Sequence, residues 1–201
     1  MSWDQQKATQ KPLRSVILAS SSPRRRELLG QLLEHFEVIN PQVSELDEHA
    51  DGPEHLVSEN AWIKANAVAD GFLEHWIIGA DTVVALAGDV FGKPQDLTEA
   101  RAMLKKMSKK THQVHTGICL INRSLNLHRQ AVFTSQVTFL ELNDATINNY
   151  FSHVDPLDKA GGYAIQTRSD MIIESFDGSK NNVIGLPTEG LIKWFKELGI
   201  V

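Results

Sequence analysis

Apolar residues recur along this chain with two spacings, one typical of strands and one typical of helices. In residues 17–36 an unbroken apolar run ends at Ala19, and after a serine-rich turn the apolar positions from Leu28 to Phe36 fall on one helical face. The pattern therefore predicts a strand, a turn and a helix that begins at Pro23.

The same two spacings divide the rest of the chain into further elements. Helical periodicity predicts helices in residues 53–73, 96–108, 143–153 and 187–198. The spacing of Asp96 and Glu99 predicts a cap for the second of these helices, Asn143 is predicted to cap the third, and Gly199 to end the last. Runs rich in β-branched residues predict strands within residues 36–48, 76–95, 112–124, 129–142 and 171–186. The second and the last of these runs are each expected to contain a pair of strands.

Strands alternate with helices at both ends of the chain, whereas strands follow one another in its middle. This order predicts an α/β protein with a mixed, twisted sheet flanked by helices, and it disfavours a doubly wound parallel sheet. No linker rich in Pro, Gly or Ser interrupts residues 15–201, so we expect one domain in which any cleft lies between two lobes. Residues 1–14 are polar and aperiodic and are predicted to be a disordered extension.

Composition narrows the class of protein. Hydrophobic residues make up 42% of the 201 residues and charged residues 22%, as in ordinary soluble proteins, and the net charge of −5 argues against a protein that coats nucleic acid. No run of about 18 apolar residues is present to span a membrane. The single cysteine, Cys119, cannot form an internal disulfide, and the eight histidines lack zinc-site spacing. We therefore expect a cytoplasmic protein with no nucleic-acid or membrane partner.

Three arginines stand where cations are disfavoured. If Ser22 caps the helix that starts at Pro23, Arg24–Arg26 lie in its first turn, at the positive end of the helix dipole. Backbone N–H groups, guanidinium groups and the hydroxyls of Ser20–Ser22 would together suit a phosphate, although this is neither a Walker A loop nor a G-x-G-x-x-G fingerprint. The alternative is three solvated arginines paired with Glu27 and other carboxylates.

Charged residues elsewhere offer further chemistry. Asp81 interrupts the apolar strand "IIGADTVV", and a buried carboxylate normally has a partner or lies at a site, although an aspartate that caps a turn is common. Thr82 lies beside it and could orient it. Lys64 and Lys93 are solvated by default, as is Glu45 in the acidic run "SELDEHAD". Glu45 could nevertheless act as a second carboxylate for Mg²⁺, which proteins hold through one or two carboxylates together with substrate phosphates.

The segment "DKAGGYAIQ" combines two glycines with polar side chains. Gly161 and Gly162 permit a close approach of the backbone, and the amide of Gln166 could read a base edge as donor and acceptor together. A tight turn that enters a strand and leaves the glutamine exposed would explain the same residues.

Taken in order, these segments resemble the Maf family, described both as septum-formation inhibitors and as nucleoside triphosphate pyrophosphatases. The similar blocks, which span approximately residues 15–198, are "LASSSPRRRELL", "GADTVV", "GKPQD", "THQVHTG", "DKAGGYAIQ" and "GLP". "GADT" together with "DKAGGYAIQ" is similar to the subgroup that hydrolyses dTTP and UTP rather than 7-methyl-GTP. The chain departs from the family at Ser21, where many members have glycine, and Arg26 is left outside the site because that position varies.

The resemblance implies a role for each matching residue. The implied substrate-binding residues are Ser20, Arg24, Arg25, Thr82 and Gln166, of which Arg24, Thr82 and Gln166 are linked with base selectivity. The implied catalytic residues are Asp81, Glu45, Lys64 and Lys93. Asp81 is the expected general base, and Glu45 with Asp81 would hold a divalent cation, Mg²⁺ or Mn²⁺. A two-lobed fold with a central cleft, similar to that of the inosine triphosphate pyrophosphatases, and a homodimer are also implied.

The implied reaction is hydrolysis of nucleoside triphosphates, preferentially dTTP and UTP, to monophosphate and pyrophosphate, including the removal of modified or non-standard nucleotides. One alternative is a nucleotide-binding regulator of cell division and septum formation without turnover. A phosphatase with an aspartyl nucleophile is disfavoured, because no second carboxylate stands two residues after Asp81.

Overall fold

The computed structural model describes residues 15–201, so the predicted disordered extension at 1–14 lies outside the described residues. The strands are β1 (Val16–Ala19), β2 (Glu37–Ile39), β3 (Trp76–Leu86), β4 (Asp89–Phe91), β5 (Thr111–Asn122), β6 (Leu127–Phe139) and β7 (Ile173–Asp177). The α-helices are α1 (Pro23–Gly30), α2 (Pro53–Ala69), α3 (Leu97–Met107), α4 (Asp144–Phe151), α5 (Lys180–Ile184) and α6 (Thr188–Leu198). None of these helices in the described range is long and apolar enough to span a membrane.

Seven strands form one mixed sheet. β1 pairs in parallel with β2 on one side and with the first residues of β3 on the other. β3, β5, β6 and β7 then follow one another in antiparallel order, and the short β4 pairs with the far end of β3. The prediction of an α/β protein with a mixed sheet flanked by helices is confirmed.

Helix α2 lies directly on the sheet because two glycines leave room for its backbone. A Cβ atom at Gly79 would lie 2.1 Å from the carbonyl oxygen of Ala61, and one at Gly117 would lie 2.3 Å from that of Val57. Close approach, and not a left-handed backbone, therefore requires glycine at both positions. With the helix this near, the side chains of α2 reach the middle of β3.

Strand β3 is buried in hydrophobic cores near both of its ends. Around β1 and the first half of β3, one face of the sheet packs against α1 and α6, and the other packs against α2. The far halves of β3, β5 and β6 pack with β4, α3 and α4 in a second core. β3 pairs with β1 at residues 76–79 and with β4 at residues 84–86, so residues 80–83 lie between these two paired stretches. A cleft opens there, at the carboxyl end of β1.

Local sequence signals account for several element ends. Asp96 accepts a hydrogen bond from the Glu99 N–H at 2.8 Å and caps α3, and Asn143 caps α4 in the same way through Thr146. Gly199 ends α6 in a left-handed conformation, with φ of 65°. These three boundaries agree with the sequence predictions.

The predicted length of the first helix is wrong. α1 ends at Gly30 rather than near Phe36, although Leu32, Leu33 and Phe36 still pack against the core that the helix contacts. Apolar side chains can pack against a core from a turn as well as from a helix. Their spacing therefore predicted a helix longer than the one that forms.

The predicted strand pair in residues 171–186 is also wrong. Only β7 forms there, and α5 follows it. Ser179 caps α5 by accepting a hydrogen bond from the Asn182 N–H at 3.1 Å. The capping serine therefore begins a helix where a second strand was expected.

Candidate active site

The cleft has a volume of about 540 Å³, and polar side chains from several parts of the chain line it. Its walls come from the turn between β1 and α1, the loop after β2, the middle of β3 and the segment 159–166. All the predicted site residues line this one cleft: Ser20, Arg24, Arg25, Glu45, Lys64, Asp81, Thr82, Lys93 and Gln166. Arg26 is exposed and lies outside the cleft lining.

Helix α1 begins at the edge of the cleft, with Ser22 at the N-cap position and Pro23 as its first residue. The Ser22 side chain makes no capping hydrogen bond within the described structure, and Ser20 Oγ instead accepts from the Ser22 N–H at 3.2 Å. The start of the helix thus keeps N–H donors that an anion in the cleft could use.

Arg25 turns inward and is held by the walls of the cleft. Its guanidinium donates to the Gly185 carbonyl oxygen at 2.8 Å, to Thr82 Oγ1 at 3.0 Å and to Ser20 Oγ at 3.3 Å. Burial lowers the pKa of Arg25, and the nearby Asp81 and Glu45 carboxylates oppose that effect. An arginine remains charged under such conditions, so Arg25 supplies a fixed positive charge to the cleft.

Arg24 reaches across the cleft to a residue far away in the sequence. Its guanidinium forms an ion pair with the Asp158 carboxylate and also donates to the Asp158 carbonyl oxygen at 2.8 Å. Lys159 pairs with the same carboxylate and donates to the Asp155 carbonyl oxygen at 2.7 Å. Burial raises the pKa of Asp158, but hydrogen bonds and charges from Lys159 and Arg24 outweigh burial and lower it. Arg24 is therefore paired with a carboxylate, as the alternative expected, but its partner is Asp158 across the cleft and not Glu27.

A buried lysine joins the two predicted acidic site residues. Lys64 Nζ lies 2.7 Å from Asp81 Oδ1 and 2.6 Å from Glu45 Oε2. Asn60, one helical turn before Lys64 on α2, donates from Nδ2 to Asp81 Oδ2 at 3.2 Å. The side chains of Lys64 and Asp81 are only 7% and 10% exposed, whereas that of Glu45 is 49% exposed. Asp81 is thus a partnered, buried carboxylate that faces the cleft, and the turn-capping interpretation is wrong.

The surroundings of Asp81 keep it ionised. Burial by itself raises the pKa of Asp81, but the charges of Lys64 and Arg25 and the hydrogen bonds from Lys64 and Asn60 outweigh burial, so the pKa lies below its ordinary value. The carboxylate is therefore ionised near neutral pH, which is the state that a proton acceptor requires.

Thr82 lies on the opposite face of β3 from Asp81 and is held by a chain of hydroxyls. Its Oγ1 accepts from Arg25 and is 2.9 Å from Thr116 Oγ1, which donates to the Asn182 carbonyl oxygen at 3.0 Å. Since Thr116 uses its proton on Asn182, Thr82 donates to Thr116. These hydrogen bonds fix both the Thr82 side chain and the Arg25 guanidinium that donates to it.

Lys93 and Gln166 are exposed at the cleft and have no side-chain hydrogen bond among the described residues. The backbone brings them to the same cleft, because the Gly161 N–H donates to the Gly92 carbonyl oxygen at 2.9 Å. Gly161 and Gly162 both have positive φ, at 69° and 74°, which glycine adopts without strain. The predicted tight turn is therefore present and Gln166 is exposed in the cleft, but no strand follows the turn, since residues 163–168 have neither helix nor strand.

Two cleft residues were missed as site residues by the sequence analysis. Asn60 touches Asp81, and its spacing of four residues from Lys64 on a predicted helix was a usable signal, since such residues share a helix face. Lys159 also lines the cleft, and it lies inside the "DKAGGYAIQ" block. Its ion pair with Asp158 could not be told from a solvated pair by sequence.

Two carboxylates of the cleft carry oxygen donors of the type that a hard divalent cation uses. Glu45 and Asp81 present carboxylate oxygens around one ammonium group, and Mg²⁺ and Mn²⁺ prefer oxygen ligands. In the part of the chain that the structure describes, no group of three or more His, Cys, Asp and Glu side chains forms a metal cluster. The two carboxylates would therefore need water or phosphate oxygens to complete a metal's coordination.

The arrangement defines a mixed α/β protein with a polar cleft, in which basic side chains and a helix N-terminus lie around a carboxylate pair, and such groups can bind a phosphate-bearing anion. The chain matches the family described as Maf-like protein over residues 15–198, and it belongs to that family.

Relatives of the chain have similar lengths. The chain is 46% identical over 184 residues to a dTTP/UTP pyrophosphatase of Akkermansia muciniphila, which covers 92% of this chain and 96% of the relative. It is 36% identical over 190 residues to a dTTP/UTP pyrophosphatase of Bacillus cereus (strain B4264) and 37% identical to one of Bacillus anthracis, each time over 94% of this chain and 97% of the relative.

The fold of this chain is similar to that of another protein whose structure has been solved. The Staphylococcus aureus Ham1 protein matches with a TM-score of 0.50 and 15% identity over 92% of this chain and 100% of that chain. At this identity the similarity shows a shared fold, in agreement with the two-lobed arrangement that the sequence implied.

Proposed function

We propose that the chain is a nucleoside triphosphate pyrophosphatase that hydrolyses dTTP and UTP to the monophosphate and pyrophosphate. Relatives that match 92–94% of its length carry the name dTTP/UTP pyrophosphatase. The observation that carries the proposal is the buried Lys64 ammonium, which holds Asp81 and Glu45 together in a cleft that arginine and lysine side chains also line. A regulator that binds a nucleotide without turnover has no need of an ionised carboxylate pair at the phosphates.

In the proposed reaction, Asp81 accepts a proton from a water molecule while that water attacks the α-phosphorus. The bond between the α-phosphorus and the oxygen that bridges to the β-phosphorus breaks, and that oxygen leaves with pyrophosphate. Asp81 then returns the proton to solvent. No covalent intermediate with the protein is required, so positioning and electrostatic stabilisation carry the catalysis.

The basic residues neutralise the charge that develops on the phosphates. Arg25 is already fixed by its hydrogen bonds, so it contributes without reorganisation when the substrate binds. Lys64 is shared between Asp81 and Glu45, and a phosphate that draws it away would raise the basicity of Asp81. Lys93, exposed at the cleft, is free to reach the leaving pyrophosphate.

A divalent cation is part of the proposal. Glu45 and Asp81 would hold Mg²⁺ or Mn²⁺, which would act as a Lewis acid at the phosphate oxygens. Arg24, Thr82 and Gln166 would contribute to base selectivity, and modified pyrimidine nucleotides belong to the same substrate class. A cytoplasmic location follows from a nucleotide-pool substrate, and a homodimer stays a prediction.

Product analysis tests the proposal. Purified protein is incubated with Mg²⁺ or Mn²⁺ and a panel of dTTP, UTP, CTP, dCTP, GTP and 7-methyl-GTP, and the products are separated. Monophosphate and pyrophosphate from dTTP and UTP, abolished by EDTA, are expected. Diphosphate and orthophosphate would instead indicate a phosphatase, and saturable binding without turnover would favour the regulator.

A further inference from the structure

Asn60 contacts both of the carboxylate-bearing parts of the cleft. Its side chain is buried, and the residue is 2% exposed. Asn60 Oδ1 accepts from the Leu46 N–H at 2.8 Å, and Nδ2 donates to the Leu46 carbonyl oxygen at 2.9 Å and to Asp81 Oδ2 at 3.2 Å. The carboxamide therefore uses both of its N–H donors and its oxygen.

The loop that carries Glu45 has no helix or strand of its own, since residues 41–48 have neither. Among the described residues, the polar contacts between this loop and α2 are the Asn60 hydrogen bonds to Leu46 and the ion pair between Glu45 and Lys64. The Asn60 amide binds both the N–H and the carbonyl of Leu46, as a neighbouring strand would. Because Leu46 directly follows Glu45, holding its backbone also sets the point from which the Glu45 side chain extends.

The orientation of the Asn60 amide follows from its partners. The Leu46 N–H needs an acceptor and the Leu46 carbonyl needs a donor, so one orientation of the amide satisfies both. In that orientation the second N–H of Nδ2 meets Asp81. One side chain thus ties the loop of Glu45 to the carboxylate on β3.

We infer that Asn60 is a positioning residue, which holds the Glu45 loop and Asp81 in the fixed relation that lets both carboxylates meet Lys64. The inference rests on the proposed hydrolysis, in which this carboxylate pair takes part. If the loop were released, Glu45 would be displaced for much of the time, and a displacement of about 1 Å can lower turnover about 100-fold. Arg25, which would bind the triphosphate, is held by Gly185 and Ser20 and not by Asn60. Affinity for the triphosphate should therefore depend less on Asn60.

The test replaces Asn60 with leucine, which has a similar size and none of the hydrogen bonds. The matched control is Asn66→Leu on the same helix, which loses a 2.5 Å hydrogen bond from Arg123 outside the cleft. For Asn60→Leu, kcat with dTTP is expected to fall about 10- to 100-fold, as for residues that orient catalytic groups, with a much smaller change in KM. For Asn66→Leu, both parameters should stay within about twofold of the wild type.

A second measurement separates positioning from general loss of stability. In Asn60→Leu the loop has lost the hydrogen bonds between Asn60 and Leu46, so it should open more easily. Amide hydrogen exchange at Leu46, followed by NMR, should therefore become at least about tenfold faster. Exchange in the buried part of β3 should stay unchanged. A variant that is merely less stable would show faster exchange in both places. If Asn60→Leu does not fold, Asn60→Ala is measured in the same way.

The outcomes distinguish this inference from the proposed function. Wild-type turnover combined with an unchanged kcat in Asn60→Leu would overturn the positioning role and leave the hydrolysis standing. A fall in kcat without faster exchange at Leu46 would also overturn it, since Asn60 would then act without holding the loop. Absence of turnover in the wild type would refute the proposed function itself.

Discussion

Replacing Lys64 with methionine removes the charge at the centre of the carboxylate pair while keeping most of the side-chain volume. Asp81 would then lack its closest partner in a place where its side chain is only 10% exposed. Removing one member of a buried ion pair typically costs about 3–5 kcal/mol. Arg25 stays nearby and Asn60 still donates to Asp81, so we expect a loss at the lower end, about 3 kcal/mol. For a chain of this size that loss lowers Tm by about 6–12 °C.

The dependence of this loss on pH gives a second, independent signature. In the wild type the pKa of folded Asp81 is lowered, so its ionised form adds stability above the unfolded pKa of about 4, and that stability is lost as the pH falls through the folded pKa. Without Lys64 the pKa of Asp81 rises relative to the wild type, because the charge and the hydrogen bond of Lys64 are lost, so ionised Asp81 adds less stability. The difference in stability between wild type and variant should therefore be largest near neutral pH and smaller in mild acid.

Chemical denaturation across a pH series measures both signatures. Lys106→Met is the matched control, because Lys106 pairs with Asp89 at 2.8 Å with both side chains about half exposed. Exposed pairs contribute about 0–1 kcal/mol, so this variant should stay close to the wild type. The described cluster would be refuted if the free energy of unfolding of Lys64→Met were within about 1 kcal/mol of the wild-type value at pH 7 and the difference did not change with pH.

Three further predictions follow from particular contacts. Arg24→Ala should chiefly raise KM for dTTP while kcat changes little, because a side chain that binds the triphosphate equally in the ground and transition states affects affinity. A selective loss of kcat in steady-state assays would contradict this prediction. Gly79→Ala should cost about 3 kcal/mol in urea unfolding, because its Cβ would meet the Ala61 carbonyl oxygen at 2.1 Å, and a neutral effect would contradict the packing of α2. Burial raises the pKa of Cys119 to about 12, so iodoacetamide should label it only after unfolding, and rapid labelling of the native protein would show that it is accessible.

Sequence reasoning succeeded where the controlling interactions are local. Asp96 and Glu99 are three residues apart, and the cap they form depends only on the backbone between them. Gly199 ends α6 through its own backbone conformation. The prediction failed for α1 and for residues 171–186, because apolar spacing shows that side chains are buried but not which backbone path brings them to the core.

The sequence by itself also determined the chemical types of the cleft residues, since the motifs that carry Arg25, Asp81 and Gln166 are contiguous blocks. Only the tertiary structure decided their partners. Arg24 meets Asp158 across 134 residues of sequence, and Lys64 reaches Asp81 because glycines in β3 and β5 let α2 lie against the sheet. Such pairings depend on how separate elements pack, and a carboxylate or an ammonium group costs free energy to bury unless that packing supplies its partner.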